Sequence, residues 1–242
     1  MGKKLVRRQG LILAIAAIAI SCQRAPVAKK AGEPQVRAMV VTIRTTIQPE
    51  NKSYVHALMI ANNLARSGDE VDSWRLFDLK KEEITFVDDI TRSYRTSSVE
   101  ALTKEHLNAY AKPVPPELPV AEWSATNETR NVTGFETKKA VVRMGGYIHE
   151  LWIAEKSPIP PQLFAFMRAS DPAPSANPGV VRTVDEALLN VRGFPLAEHA
   201  ELPFGDKKMV VDRVVQKIEQ KDVPASWFRV PAGYRGPAKP SS

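Results

Sequence analysis

Apolar and polar residues alternate at period two along much of this chain and switch to helical spacing only in short stretches. Val36 to Ile47 carries Met39, Val41 and Ile43 on one face of an extended segment and Val40, Thr42 and Arg44 on the other. Its β-branched residues suit a pleated surface. Tyr54 to Leu64, Val71 to Leu79 and Ile84 to Val87 follow as short segments divided by polar breaks, the spacing of an antiparallel meander. Helical spacing begins at Ser98 and runs to Ala111. Ser98 is placed to cap the N-terminus, Val99, Leu102, Leu107 and Tyr110 share a face, and Lys112-Pro113-Val114-Pro115-Pro116 stops the helix.

The second half repeats this grammar. Ala140 to Met144 and Tyr147 to Ile153 flank Gly145-Gly146, predicting a hairpin whose tight turn wants positive φ at both central positions. Pro160-Pro161 opens a short helix carrying Leu163, Phe164, Phe166 and Met167. Thr183 is the expected cap of another, Val184 to Val191, ending at Gly193. Phe194 to Leu202 and Lys208 to Lys221 predict a last hairpin around Gly205-Asp206. Val211, Val214, Val215 and Ile218 also suit a helical face, but the valines and the preceding turn favour a strand. The sum is one α+β domain with more sheet than helix.

The N-terminal pattern is different. Lys3, Lys4, Arg7 and Arg8 precede an unbroken apolar run from Leu11 to Ile20, the layout of a secretory signal peptide. That run is about half of the ~20 residues a spanning helix needs. It leads into Ala19-Ile20-Ser21-Cys22, and Cys22 is the only cysteine. This ending resembles the lipobox of bacterial lipoproteins. The resemblance implies diacylglyceryl transfer to the Cys22 thiol, cleavage between Ser21 and Cys22, and fatty acylation, such as by palmitate, of the new amino terminus. Two or three acyl chains exceed the single chain for which membrane binding is marginal. Gln23 stands where Asp commonly marks inner-membrane retention, so the resemblance leans towards the outer membrane, facing the periplasm. The expected organisation is a signal peptide over 1–21, a lipidated Cys22 with a flexible tether over 22–35, a single domain over 36–235 and a disordered tail over 236–242.

Charge narrows the partners. The formal net of +7 includes the four leader cations, and without residues 1–21 the chain holds 30 basic against 27 acidic residues. These interleave with no arginine-rich stripe among aromatics, so no nucleic-acid partner is expected. Nucleophile elbows, phosphate loops and zinc-protease motifs are missing from the sequence, and an enzyme is not expected. The nearest approach to a metal cluster is Glu198, His199 and Glu201 beside His149-Glu150. Strand alternation puts Glu198 on the face opposite His199 and Glu201, so neither a metal nor a cofactor is expected. Asp88-Asp89 and Glu82-Glu83 read as turn and surface charges rather than catalytic pairs. Trp74, Phe77, Phe86, Trp152, Phe164, Phe166 and Phe228 either fill a core or line a cavity. Trp74, Phe77, Trp152, Phe164 and Phe166 are the candidate lining of an apolar-ligand site.

Several fragments in order carry a family resemblance: Trp74-Arg75-Leu76-Phe77-Asp78 with Ile84-Thr85-Phe86-Val87-Asp88, Gly134 to Val142 leading to Glu150-Leu151-Trp152-Ile153, Gly193-Phe194-Pro195-Leu196, and Asp222 to Tyr234. Together they resemble the LolA/LolB-like superfamily of lipoprotein-localisation carriers and receptors. The resemblance implies a strongly curved antiparallel sheet, an unclosed half-barrel with short helices across its concave face and an apolar cavity able to admit an acyl chain. Neither a receptor-type protruding hydrophobic loop nor a carrier-type gating arginine maps onto the chain. The expected function is a membrane-anchored, non-enzymatic envelope lipoprotein that binds or shields a hydrophobic ligand, a lipid or acyl chain. The alternative is a structural or adaptor lipoprotein that docks another envelope protein without a small ligand.

Overall fold

The computed structural model describes residues 32–70, 72–108, 121–171, 178–204 and 207–237. Ser21, Cys22 and the rest of the leader, Val71, Tyr110 with the proline stop, the Gly205-Asp206 turn and residues 238–242 of the tail lie outside these. Glu33–Ser242 forms one compact unit. The last residues of the segment read as a tether already belong to the fold: Gln35 starts the first strand, and the Pro34 carbonyl accepts from the Ala225 amide at 2.9 Å.

The first six strands are β1 (Gln35–Gln48), β2 (Lys52–Ala61), β3 (Leu64–Glu70), β4 (Ser73–Asp78), β5 (Glu83–Asp88) and β6 (Ser93–Ser98). The other five are β7 (Glu122–Val132), β8 (Phe135–Met144), β9 (Tyr147–Ile153), β10 (Pro195–Phe204) and β11 (Lys207–Pro224). They join in one antiparallel sheet ordered β6-β5-β4-β3-β2-β1-β11-β10-β9-β8-β7. Two meanders thus meet where the first strand pairs with the last, from Gln35 opposite Pro224 to Gln48 opposite Val210. The sheet is an unclosed curved half-barrel whose edges are β6 and β7.

This order dictates where the helices go. Strands β6 and β7 are consecutive in the chain but lie at opposite edges of the sheet, with one connection joining them. It carries α1 (Val99–Asn108), while α2 (Leu163–Ser170) and α3 (Pro178–Leu189) lie between the neighbouring strands β9 and β10. All three pack across the concave face. Ser98 caps α1 as expected, its Oγ accepting from the Ala101 amide at 3.1 Å. Thr183 does not cap α3, which begins at Pro178, and its hydroxyl instead meets Met144 Sδ. Proline supplies the pre-set φ of a first turn, so the helix starts one and a half turns earlier than the threonine suggests.

The concave face holds the main core. Val41, Leu58, Phe77, Ile84, Leu151 and Leu196 point inward from six different strands and are fully buried with Leu163 and Leu188 of the helices. Full burial contributes roughly 1.5–3 kcal/mol per such side chain. A smaller cluster covers part of the convex face, where Phe228 and Trp227 from the short turn after β11 pack on Ala38, Ala61, Val223 and Leu76. The hairpin at Gly145-Gly146 forms, but only Gly145 takes a positive φ, +55°, the pattern of a turn needing glycine at its first central position. Strands β3, β6 and β7 were not expected from the pattern, and Tyr54 to Leu64 divides at Asn62, whose φ of +53° makes the turn between β2 and β3.

Candidate functional site

Between α2 and the concave face lies a cavity of about 300 Å³, at the lower end of the ~300–1,000 Å³ usual for small-molecule sites. Its two halves differ in chemistry. Ile43, Phe164, Met167, Phe194, Leu196 and Val215 make an apolar wall, with Phe164 and Phe194 edge to face at 6.5 Å between centroids. Thr45, Tyr54, His56, Arg75, Arg168, Asp171, Glu198 and Arg213 make a polar one.

Strand register explains how the polar wall assembles. Thr45 lies opposite Arg213, and Glu198 opposite Arg213 on the other side, so three adjacent strands present these side chains to one face. Arg75 arrives from β4, Arg168 and Asp171 from the end of α2. Arg213 Nη1 donates to Glu198 Oε2 at 3.0 Å, and Arg75 Nη1 donates to Ser170 Oγ at 3.1 Å and Asp171 Oδ1 at 2.9 Å. Behind the wall, Arg168 Nη2 donates to Asp185 Oδ1 of α3, while His106 of α1 bonds Asp185 Oδ2 at 2.9 Å and the Asp171 carbonyl at 3.0 Å. One carboxylate only 1 % exposed therefore ties all three helices together.

The charges set each other's titration. Burial alone would raise Glu198, but Arg213, His149 and Arg168 outweigh it and hold the carboxyl far below its usual range. Burial likewise works against Arg168, and Asp185, Asp171 and Glu198 hold it protonated regardless. The hydrogen bond to Asp185 raises His106 above its ordinary value. His149 Nδ1 stands 3.5 Å from Glu198 Oε1, too long for a well-formed hydrogen bond.

The five aromatic candidates separate by face. Phe164 lines the cavity. Phe77 is on the same face but is fully buried in the core at 0 % exposure. Phe166 faces a smaller hollow of about 220 Å³ beside Val99 and Leu107 of α1 and Leu189 of α3. Trp74 and Trp152 lie on the convex face and do not line the cavity. In β4 the alternation that turns Phe77 and Arg75 inward turns Trp74 outward, where Arg66 covers its ring at 4.0 Å and its Nε1 donates to Asp89 at 3.2 Å. Trp152 is stacked under Arg130 at 4.0 Å and borders a second hollow of about 430 Å³ with Glu150, His199 and Asp212, which shares Glu198, Arg213 and Val214 with the first. A period-two strand with both faces covered gives no sign of which buried aromatic faces a ligand.

The same alternation divides the histidine and carboxylate group of β9 and β10. Glu198 faces His149 on the concave side, whereas His199 bonds Asp212 at 2.7 Å on the convex side, paired with Glu150. Among the described residues no three His, Cys, Asp or Glu side chains are placed to hold a metal ion together. Asp88 accepts from the Thr91 amide within a hairpin, Asp89 accepts from Trp74 and from the Tyr234 hydroxyl, and Glu82 sits in a turn at φ +56°.

Fold and cavity define an open antiparallel half-barrel with helices on its concave face and a cavity, half apolar and half ionic, between them. No family model and no curated protein matches the chain. Among solved structures it is similar to PNGF-II in a C2 crystal form, at 12% identity over 83% of this chain with a TM-score of 0.42. A P21 form gives 12% over 78% with 0.40. The chain spans only 30% and 29% of those two proteins. It is also similar to the LolA superfamily protein NE2245 from Nitrosomonas europaea, at 9% identity and a TM-score of 0.28, covering 82% of this chain and 91% of that one.

Proposed function

We propose that this protein is a non-enzymatic envelope lipoprotein that holds a hydrophobic ligand, a lipid or acyl chain, between α2 and the concave face of its half-barrel. The cavity of about 300 Å³ with its continuous wall of Ile43, Phe164, Met167, Phe194, Leu196 and Val215 supports this reading. A cavity open to solvent with one apolar wall gives such a ligand a place to bury its chain. The anchor belongs to the proposal: Cys22 carries the lipid after cleavage behind Ser21, and the domain faces the periplasm from the outer membrane. Among the described residues no helix is long and apolar enough to cross a membrane.

The test is native mass spectrometry of the purified chain followed by solvent extraction. Stoichiometric lipid that is lost on Phe164→Asp substitution supports the reading. An apo mass that stays unchanged after addition of fatty acids and phospholipids rejects it. Cys22→Ser should separately release the protein from the membrane fraction and abolish labelling by a fatty-acid probe.

A further inference from the structure

We propose that the occupant of this cavity is a single-chain amphiphile ending in an oxyanion, a carboxylate or a phosphate monoester, with its head against Arg75, Arg168 and Arg213 and its chain along Phe164, Phe194 and Val215. The inference rests on the reading that the cavity holds an apolar ligand, and it adds the chemistry of the head group.

The polar wall is short of acceptors, not donors. Three guanidinium groups face two carboxylates in the lining, Asp171 and Glu198, and each guanidinium carries five N–H donors. Each carboxylate is already engaged through one oxygen. Asp171 Oδ1 accepts from Arg75 while Oδ2 lies 3.9 Å from Arg168, and Glu198 Oε2 accepts from Arg213. The donors are only partly used: Arg213 spends Nη1 on Glu198, Arg75 spends Nη1 on Ser170 and Asp171, and Arg168 spends Nη2 on Asp185. Arg168 Nε and the Thr45 hydroxyl are buried without any hydrogen-bond partner. Leaving such a group unsatisfied is unfavourable. What completes the wall is an acceptor with several lone pairs and negative charge, and the guanidinium fork matches the geometry of a carboxylate or phosphate.

The opposite wall then sets the rest of the molecule. It offers no polar side chain along Ile43, Phe164, Phe194, Leu196 and Val215, so the remainder of the ligand is hydrocarbon. A volume of about 300 Å³ holds about ten water-sized groups at ~30 Å³ each. A chain near ten carbons is the appropriate probe.

The experiment uses the chain from Gln23 to Ser242, which keeps every described residue and is first shown to melt in one cooperative transition. Decanoate, decyl phosphate, decanol and decyltrimethylammonium are titrated calorimetrically. The anions should bind at least tenfold more tightly than decanol, and the cation more weakly than either. Preference for decyl phosphate points to a phospholipid-derived head and preference for decanoate to a free fatty acid, each supporting the proposal. Arg75→Gln should cut anion affinity about tenfold and decanol affinity by much less, and Arg75→Lys should retain part of the preference for the anions. Decanol binding as well as the anions overturns the head-group assignment while leaving an apolar-ligand site in place. Failure of all four probes overturns both.

Discussion

Asp185→Asn isolates the ionic centre of the fold with almost no change in shape. The Asp185 side chain is 2 % exposed, and it takes Arg168 Nη2 on one oxygen and His106 Nε2 on the other. Removing one partner of a buried ion pair costs about 3–5 kcal/mol, because the remaining charge stays buried and uncompensated. Here Arg168 keeps Asp171 at 3.9 Å, and an amide can still bond the imidazole. The expected loss is therefore about 3 kcal/mol, towards the lower end of that range. For a domain of this size 1 kcal/mol moves Tm by about 2–4 °C, so a drop of about 6–12 °C is expected. Calorimetry at pH 6 measures it, with Glu105→Gln on the exposed side of α1 as a control that changes the same formal charge and should stay within ~2 °C. The double variant Arg168→Met/Asp185→Leu should lose less than Asp185→Asn alone, since replacing a whole buried pair by apolar groups is often close to neutral. A shift below ~2 °C for Asp185→Asn, or a double variant worse than the single, would refute the view that this carboxylate is the electrostatic link among the three helices.

Two further outcomes follow from the same coordinates. His106 has its pKa raised by Asp185, so its contribution is fully present below the ordinary histidine value of ~6.5 and is lost as pH rises through the raised value; the wild type should lose stability across that interval while His106→Gln, melted at each pH, stays flat. Gly193 sits at φ +108°, and a Cβ there would come within 2.6 Å of Ile153 Cγ2, so Gly193→Ala should cost about 2 kcal/mol or more from backbone strain and overlap, read as a urea midpoint shift; an unchanged midpoint would contradict the glycine's role in turning α3 into β10.

The strands that announce themselves in sequence are those with one face in the concave core. Met39, Val41 and Ile43 alternate with Val40, Thr42 and Arg44 and are 7 %, 0 % and 5 % exposed, so a run rich in β-branched residues with this alternation reports its geometry directly. Lys208 to Lys221 also reads as extended, and it forms most of β11, the 18-residue partner of β1. The strands that escape detection have no such face. Glu122 to Val132 is exposed at nearly every position and exists because β8 pairs with it along one side. Ser93 to Ser98 holds Tyr94 as its only large apolar residue, yet it pairs with β5 and meets Arg235 at its far edge. Both edge strands are held by backbone ladders to the neighbouring strand in the chain, and a pattern of side chains cannot show a ladder.

The candidate site was legible only in its apolar half, for a physical reason. Phe164 stands out because helix α2 has several large apolar residues within two turns, and a short helix that apolar must lie on something. Nothing comparable marks Arg75, Arg168 or Arg213, which look like ordinary surface cations until six elements converge. Arg75 and Trp74 are neighbours on one strand, and a reading weighted by hydrophobicity selects the tryptophan, although the pleat sends it to the convex side and sends the arginine into the cavity. Asp185 carries a stronger signal, because it lies among Val184 and Leu188, both buried, on the inner side of α3. A carboxylate on the apolar face of a helix costs several kcal/mol to bury alone, so its presence there already demands cationic partners from neighbouring elements. The sequence does not say which arginines answer that demand. Topology does, since α1, following β6, brings His106 to Asp185 and the insertion between β9 and β10 brings Arg168 to the same carboxylate.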